Sequence, residues 1–584
     1  MILSYLANLF LLLTLFFKVS CNYVSPLVNT VAQNKSLATQ QTPYYEENTQ
    51  GYAQQQTNYN GGLFSYGGNY NWVPSNQITF PNAIQALAPP NNYLFLPAFT
   101  AGLNIYNRVN RYSADNYQLI KNPKWYPPKP YYFNDKLCQE RKHRMDWLNM
   151  LKPCKSKMDF GMHIYSYLKT EVNYSYISDL HVRNTGDYSS FRIKTYDTTR
   201  KPKSIGGDTW RVFIRGPVYI EPYVYDLNNG EYEVLFFTLD AGMYQIEVIL
   251  EGSLCSSYVN PPYDWFKKGD FNGHFQNEYM FKEYKHFPFL LTYRTWNTLS
   301  NFSVYVHEGL KSRITKNLIK IQNWQLLCNV KCNFLTDGFG RWKNKTWLPY
   351  VQSKTRTSIQ SSNKLGTYVN RLSTRHKLRQ KQGLLWIYGD CYAYNFYQSV
   401  WNASLCTQQF KECNRTYNWI YPRWNPDNKK DKSIHLKHDY FINLPWLVKY
   451  FAKLLNNDKL KRSDSGMLLN VGLHYIRSTS FDIYKQLIDG YIKAIKSHPT
   501  DVVWRTTTAI YRAEKFTHKR FQTNQRALLF NAYSMSAMCR AGIAVVDVFP
   551  LTSAIEEKPT DGIHYDVTVF SSLTKILQEY FKYM

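Results

Sequence analysis

The chain has few acidic residues and no long hydrophobic run after its N-terminus. Its 584 residues include 42 Asp and Glu against 70 Lys and Arg, which gives a formal net charge of +28. Beyond the N-terminal segment no stretch approaches the roughly 20 apolar residues that cross a bilayer, so a polytopic membrane protein is excluded. Aromatic residues make up 17% of the chain, which excludes a fully disordered protein because disordered chains are poor in aromatics.

Charge is also nearly absent from the first 107 residues. Only Lys18, Lys35, Glu46 and Glu47 occur there and they cancel, so the whole excess of positive charge lies in residues 108–584. Residues 22–125 form an arm and linker that begin rich in Gln, Asn and Tyr and have few aliphatic side chains to bury. We expect this arm to be flexible and disordered, and a spacer role is favoured over a self-associating segment.

The N-terminal segment predicts entry into the secretory pathway. An apolar run from Leu6 to Phe17 is followed by Val19-Ser20-Cys21, so residues 1–21 resemble a cleaved signal peptide. An uncleaved signal anchor is the alternative, because Lys18 follows the apolar run rather than preceding it. We therefore expect a secreted protein or one in the secretory lumen, without a stable membrane span. The candidate glycosylation sites are Asn34, Asn173, Asn301, Asn344, Asn402 and Asn414.

The ten cysteines carry a second prediction. Cleavage after Cys21 leaves nine, an odd number, so one thiol is unpaired or pairs with another molecule. Zinc binding by the close pairs Cys328/Cys332 or Cys406/Cys413 is the alternative to disulfides. No second ligand pair follows at zinc-finger spacing, so disulfides are favoured. The sequence implies no metal and no organic cofactor.

Hydrophobic periodicity divides the rest of the chain into two fold types. Residues 161–252 alternate with a period of two, as in Trp210-Val212-Ile214, and contain the turn signal Asp226–Gly230, which together predict a β-sandwich. From about residue 300, short apolar strands alternate with amphipathic helices, which predicts an α/β domain with a parallel sheet covered on both faces. The predicted strands are Leu384–Tyr388, Met467–Val471, Val502–Trp504 and Ile543–Val548.

Two short motifs fall where such a sheet binds its ligands, at the carboxyl ends of the strands. Gly389-Asp390-Cys391 follows the first of these strands and precedes a predicted helix, which places a nucleophile at a sharp strand-to-helix turn. Asp561-Gly562-Ile563-His564 lies before the last helix, and its spacing lets a carboxylate hold an imidazole that accepts a proton.

These motifs, in this order, resemble the SGNH-hydrolase superfamily and its PC-esterase group. The segment Thr336–Trp342 is similar to the Gly-Arg-Trp stretch of many PC-esterase domains, and the β-rich part resembles a filamin-type immunoglobulin repeat. That domain order in a secreted chain resembles the neurexophilin and PC-esterase (NXPE) family. The resemblance covers roughly residues 130–584. It implies a multidomain chain with a filamin-type, immunoglobulin-like β-sandwich at 126–290 and a three-layer SGNH-like α/β domain at 300–584.

The resemblance also implies roles for individual residues. Cys391 occupies the nucleophile position, His564 would be the general base and Asp561 its orienting carboxylate. Gly472 and the Cys391 amide would bind the oxyanion, and His474 stands where related hydrolases have an Asn donor. Asp390 and Tyr394 lie near this site. The chain departs from the family pattern in two ways: the nucleophile is Cys391 rather than Ser, and Tyr394 replaces an Arg found in many PC-esterases.

Two functions of different classes follow. The first is an O-acetyltransferase or esterase that acts on extracellular glycans through a Cys-His-Asp triad. The second is a catalytically inactive secreted ligand that binds matrix or a cell-surface receptor, with Cys391 merely a small residue at a tight turn. The dense basic stretches at 371–381 and 429–432 are explained most simply as solvated loops. The competing functional interpretation is that they attract an anionic glycan or glycoprotein as partner. Secretion and the lack of a recognisable nucleic-acid module argue against nucleic acid.

Overall fold

The fold combines an antiparallel β-sandwich with a parallel α/β sheet. The computed structural model describes residues 130–160, 166–262, 265, 298–309, 319–352, 383–401, 405–418, 444–511, 521–557, 559 and 561–581. Several predictions lie outside these residues: the signal peptide 1–21, the arm 22–125, the sequons at Asn34 and Asn402, and the basic stretches 371–381 and 429–432. The side chains of Cys391 and Tyr394 also lie outside the described part, although their backbone in the helix is described.

The sandwich begins after two helices, α1 (Pro130–His143) and α2 (Trp147–Leu151). Its first eight strands are β1 (Tyr176–His181), β2 (Tyr188–Lys194), β3 (Thr209–Arg215), β4 (Tyr219–Ile220), β5 (Tyr223–Asp226), β6 (Glu231–Phe237), β7 (Gly242–Gly252) and β8 (Thr298–Val306). Alternate residues of β2, β3, β6 and β7 point into one apolar core between the two sheets. The predicted turn at 226–230 is confirmed, since it joins β5 to β6 and Asn228 and Gly230 have positive φ.

The α/β part follows the elements β9 (Ile319–Lys320) and α3 (Ile321–Leu327). The next strands are β10 (Asn333–Thr336), β11 (Gly340–Lys343), β12 (Thr346–Pro349), β13 (Val351–Gln352), β14 (Leu384–Gly389), β15 (Glu412–Tyr417), β16 (Gly466–Leu469), β17 (Asp501–Arg505) and β18 (Ala544–Val546). The helices are α4 (Cys391–Trp401), α5 (Leu444–Leu455), α6 (Leu473–Ser478), α7 (Phe481–Ile495), α8 (Asn524–Arg540), α9 (Phe549–Ser553) and α10 (Ser571–Phe581).

Six parallel strands form the sheet of this part, in the order β10-β18-β17-β16-β14-β15. Every residue of β14 and of β16 is buried, as expected for strands covered on both faces. The crossover β14–α4–β15 runs in the opposite direction along the sheet from β16–α7–β17. Right-handed crossovers therefore place α4 and α7 on opposite faces. The predicted three-layer α/β architecture is confirmed.

The two parts share chain segments as well as an interface. One sandwich sheet has the order β1-β2-β6-β5 and the other the order β12-β11-β4-β3-β7-β8. The edge hairpin β11–β12 of the larger sheet comes after β10 of the parallel sheet in the sequence. Strand β8, at Thr298–Val306, pairs with β7 along most of its length. Segments from both sides of residues 290–300 therefore contribute strands to this sheet. The domain bounds 126–290 and 300–584 stay a prediction.

Four disulfides link described cysteines: Cys138–Cys328, Cys154–Cys255, Cys332–Cys539 and Cys406–Cys413. The preference for disulfides is confirmed. The zinc alternative is wrong, because Cys328, Cys332, Cys406 and Cys413 are all consumed in disulfides. Three of the four close loops of about a hundred residues or more, the range in which cross-links restrict the unfolded chain most.

A cluster of buried ion pairs joins the end of α1 and Arg144, the residue after it, to the carboxyl ends of two parallel strands. Arg141 contacts Asp337, which follows β10, at 3.0 Å, and Arg144 pairs with Asp547, which follows β18. The Arg144 guanidinium also donates to the Asp337 carbonyl at 2.9 Å. Because an unpaired buried charge costs several kcal/mol, about 3–5 in measured cases, these pairs fix α1 in one position against the sheet. Within the described ranges, no helix is long and apolar enough to cross a membrane.

Candidate active site

The loops after β14 and β16 meet where the direction of the crossovers changes. Such a switch point is where open parallel sheets bind ligands. Asp390, which is 1% exposed, accepts a hydrogen bond from the Leu473 amide at 2.7 Å. A Cβ on Gly472 would lie 1.6 Å from Asp390 Oδ2, so only glycine allows the two loops to approach this closely. The start of α4, at Cys391, and the start of α6, at Leu473, are therefore held side by side.

Buried asparagines fix the ends of these strands. The side-chain amide of Asn470 donates to the Arg505 carbonyl at 2.9 Å and to Thr507 Oγ1 at 3.2 Å. The Asn418 side chain donates to the Asn470 carbonyl at 2.6 Å. Loops after β15, β16 and β17 are thus tied together by side-chain amides, which satisfy backbone groups that the sheet no longer pairs. The loops that carry the candidate site begin from a rigid edge.

Asp561 and His564 form a hydrogen-bonded pair in the loop before α10. Asp561 Oδ1 accepts from the His564 amide at 2.7 Å and from the Ile563 amide at 3.1 Å, while Asp561 Oδ2 accepts from His564 Nδ1. Gly562 has φ +78°, the left-handed conformation that this tight turn requires. Burial raises the pKa of Asp561, but its hydrogen bonds from His564 and the charge of that ring together hold it well below its ordinary value. With Nδ1 donating to a carboxylate, neutral His564 carries its lone pair on Nε2.

The loop with this pair is attached to the helix that begins at Cys391. Asn395, one turn after Cys391 on α4, donates from its side-chain amide to the Tyr565 carbonyl at 3.1 Å. The Tyr511 amide donates to the Gly562 carbonyl at 2.9 Å, and the Tyr565 hydroxyl donates to the Ala509 carbonyl at 2.8 Å. Residues adjacent to His564 are thus bonded both to α4 and to the loop after β17.

The disulfide pattern limits the state of Cys391. Eight of the ten cysteines form the four disulfides, so Cys21 and Cys391 are left over. Within this chain Cys391 could pair with Cys21 and with no other cysteine. If the leader is cleaved after Cys21, Cys391 has no partner in its own chain.

His474 lies in the first turn of α6 and is 7% exposed. Arg477, one turn further along, donates from Nη2 to His474 Nδ1 at 2.9 Å. A guanidinium has no acceptor atom, so Nδ1 must be the acceptor and the neutral ring carries its proton on Nε2. His474 is therefore a hydrogen-bond donor at Nε2, as an Asn side-chain amide would be. No described group accepts a hydrogen bond from the neighbouring Gly472 amide.

The structure places the predicted residues in three segments. Asp390 and Cys391 follow β14 at the start of α4, Gly472 and His474 follow β16 at the start of α6, and Asp561 and His564 lie in the loop before α10. Sequence reasoning missed Asn395 and Arg477. Each is spaced along its helix so that it shares a face with a predicted residue, four positions after Cys391 and three after His474, and that spacing was the available signal. Among the described residues, no cluster of three or more His, Cys, Asp or Glu has the arrangement of a metal site.

Four of the predicted glycosylation sites lie in described segments: Asn173, Asn301, Asn344 and Asn414. All four side chains are exposed. An acceptor Asn must reach the modifying enzyme, so exposure is what these sites require.

No protein-family model matches the chain, and no curated protein matches it in sequence. Solved structures similar to parts of the fold include the Lin-41 filamin domain, at 15% identity over 14% of this chain and 82% of that chain, with a TM-score of 0.13. A Bacteroides fragilis protein described as an acylhydrolase is 10% identical over 36% of this chain and 90% of its own, with a TM-score of 0.26. A GDSL-like lipase from Bacteroides thetaiotaomicron is 9% identical over 36% and 92%, also with a TM-score of 0.26. These similarities concern the fold alone.

Proposed function

We propose that the chain is a secreted acyl-ester enzyme of the PC-esterase type that acts on O-acylated glycans through Cys391, His564 and Asp561. The observation that carries the proposal is the His564–Asp561 pair in a loop bonded, through Asn395, to the helix that begins at Cys391. The four disulfides support a secretory compartment, because structural disulfides form and persist in oxidising surroundings.

The proposed reaction has two steps. His564 Nε2 accepts the proton of the Cys391 thiol, and the thiolate attacks the carbonyl carbon of the acyl ester. The amides of Gly472 and Cys391 and the His474 Nε2–H bind the resulting oxyanion. The carbon–oxygen bond to the sugar then breaks, and the alcohol leaves with the proton from His564. In the second step, a water or a second sugar hydroxyl gives its proton to His564 and attacks the thioester carbonyl carbon. The carbon–sulfur bond breaks, the Cys391 thiolate takes the proton back from His564, and the free acid or the new sugar ester leaves.

An acid-quench experiment tests the proposal. The full chain, secreted from an expression host, is mixed with para-nitrophenyl acetate, stopped in acid and mapped by mass spectrometry. We expect an acetyl group on the Cys391 peptide that neutral hydroxylamine removes, because thioesters react with hydroxylamine under conditions that leave amides intact. The Cys391→Ala variant is the control and should carry no label in that peptide.

The same peptide map decides between this proposal and the inactive-ligand alternative. The enzyme proposal would be contradicted if Cys391 stays unacylated in the folded, unsubstituted protein, or if Cys391 is found in a disulfide. Either result would favour a secreted ligand that binds a cell-surface receptor. The glycan part of the proposal rests on the +28 net charge and predicts that binding to sialylated or sulfated chains weakens as salt is raised.

Arg477 offers a test of the oxyanion donors. We expect Arg477→Met to lower kcat about tenfold, because the His474 ring then loses the donor that keeps its proton on Nε2, and one oxyanion donor is worth about 10²–10³ in kcat. The same substitution is then made in a His474→Asn protein. The Asn side-chain NH₂ group is always a hydrogen-bond donor, so it does not depend on Arg477 to fix a tautomer. There Arg477→Met should change kcat less than twofold. Equal losses in both backgrounds would mean that Arg477 acts on stability rather than on His474.

A further inference from the structure

A buried arginine of the sandwich contacts the loop that follows β17, close to the candidate active site. Arg211, on β3, is 7% exposed and donates from Nη2 to the Ile510 carbonyl at 2.5 Å. Its Nε atom lies 2.5 Å from Glu251 Oε1 on the neighbouring strand β7, so the guanidinium is held from within the sandwich. Ile510 belongs to the loop after β17 in the parallel sheet. The contact therefore connects the sandwich to the α/β part through two residues that are 299 positions apart in the sequence.

The contact continues into an apolar patch. Phe213 and Ile249 of the sandwich form a buried cluster with Tyr511, the residue after Ile510. The Phe213 and Tyr511 ring centroids are 5.7 Å apart. The Tyr511 amide in turn donates to the Gly562 carbonyl, between Asp561 and His564. Two hydrogen bonds, from Arg211 to Ile510 and from Tyr511 to Gly562, thus connect the sandwich with the Asp561–His564 turn.

The sandwich also contacts the segment that leads from β18 to this turn. Trp342 Nε1, on β11, donates to the Leu551 carbonyl at 2.7 Å, and the Tyr219 hydroxyl, on β4, donates to Glu556 Oε1 at 2.6 Å. The Asp561–His564 turn belongs to no helix or strand. Its position is set by bonds to α4 on one side and by the sandwich on the other.

We propose that the β-sandwich is a positioning element of the catalytic site, with Arg211 as its principal positioning residue. The inference rests on the proposed function, which assigns Asp561 and His564 their roles. Arg211 touches no reacting atom. It holds the 506–511 loop, which holds Gly562, and so it sets where the imidazole of His564 lies relative to α4. Displacements of about 1 Å at a reacting group can lower a rate about a hundredfold.

The test compares Arg211→Met and Arg211→Lys with Thr195→Val in the full chain. Thr195 is buried in the sandwich and donates to the Gly230 carbonyl at 2.7 Å, so its variant loses a buried hydrogen bond that does not reach the α/β part. We expect Arg211→Met to lower kcat on para-nitrophenyl acetate about tenfold to a hundredfold with a smaller change in KM. Arg211→Lys should recover part of the loss, and Thr195→Val should match the parent.

A second measurement does not depend on turnover. The His564 Nδ1 proton, hydrogen-bonded to Asp561, gives a far-downfield proton NMR resonance that His564→Ala identifies by its loss. We expect the resonance to be broadened by exchange in Arg211→Met and retained in Arg211→Lys and Thr195→Val. An unchanged resonance in a folded Arg211→Met protein overturns the positioning role, as does equal broadening in Thr195→Val. A parent without esterase activity but with this pattern of resonances would reject the proposed reaction and keep the positioning role.

Discussion

Asp561→Asn is expected to lower kcat/KM of the full chain on para-nitrophenyl acetate by about 10²–10⁴-fold, the upper figure being the loss seen when a triad aspartate becomes an amide. The amide is nearly isosteric with the carboxylate and can still accept the hydrogen bonds from the Ile563 and His564 amides. At Nδ1, however, an Asn side chain can present its NH₂ group, which makes Nδ1 the acceptor and moves the imidazole proton to Nε2. A ring protonated at Nε2 has no lone pair there to accept the thiol proton.

His564→Ala sets the lower limit for this measurement, and Asp566→Asn is the matched control. Asp566 lies two residues beyond His564 and caps the following helical turn through the Thr568 amide at 2.9 Å. It makes the same carboxylate-to-amide change without touching the imidazole. Parent-like kinetics for Asp561→Asn would show that Asp561 does not orient His564 during the reaction.

The depressed pKa of Asp561 gives this pair a pH signature. Its folded-state pKa is held below the ordinary aspartate value near 4, so its contribution to stability is present above about pH 4 and is lost as the pH falls through the folded value. The carboxylate therefore stays ionised across the whole range in which histidine titrates. A fall in rate between about pH 7 and pH 5 should accordingly not arise from protonation of Asp561, and it should persist in Asp561→Asn.

Much of the fold could be predicted from the sequence because local patterns and tertiary burial agree. Leu384–Tyr388 is apolar at every position, because a strand that is covered on both faces buries all of its side chains. The Asp226–Gly230 turn was identifiable because Asn and Gly tolerate the left-handed backbone that the hairpin uses. The helix after Cys391 and the turn at 561–564 also lie where their spacing placed them.

The contribution of one module to the other could not be predicted from local pattern. The hairpin β11–β12 alternates like any strand pair, and nothing in its sequence says that it pairs with β4, more than a hundred residues earlier. Arg211 likewise occupies an ordinary strand position between Trp210 and Val212. Its role depends on Ile510, a residue brought to it only by the packing of the two sheets. Long-range contacts of this kind produce no periodic pattern of apolar and polar residues from which they could be predicted.

Gly472→Ala is expected to lower kcat/KM by about 10²–10³-fold and to destabilise the protein by about 1–3 kcal/mol. The added methyl would lie 1.6 Å from Asp390 Oδ2 and 2.0 Å from its Cγ, so one of the two loops must move. Asp390 is almost fully buried and accepts the hydrogen bond of the Leu473 amide, so moving its carboxylate away from the methyl would break that bond. Moving either loop separates the start of α4, with Cys391, from the proposed oxyanion donors at Gly472 and His474.

Two variants separate this steric effect from general destabilisation. Gly309→Ala places a Cβ 2.2 Å from the Thr185 carbonyl oxygen in the sandwich, so it should lower the melting temperature and leave kcat unchanged. Asp390→Ala combined with Gly472→Ala removes the atoms that clash, and the double variant should be more stable than the two single losses added together predict. Strict additivity would mean that the methyl group and Asp390 do not meet. The close approach of the two loops would then not be what requires glycine at position 472.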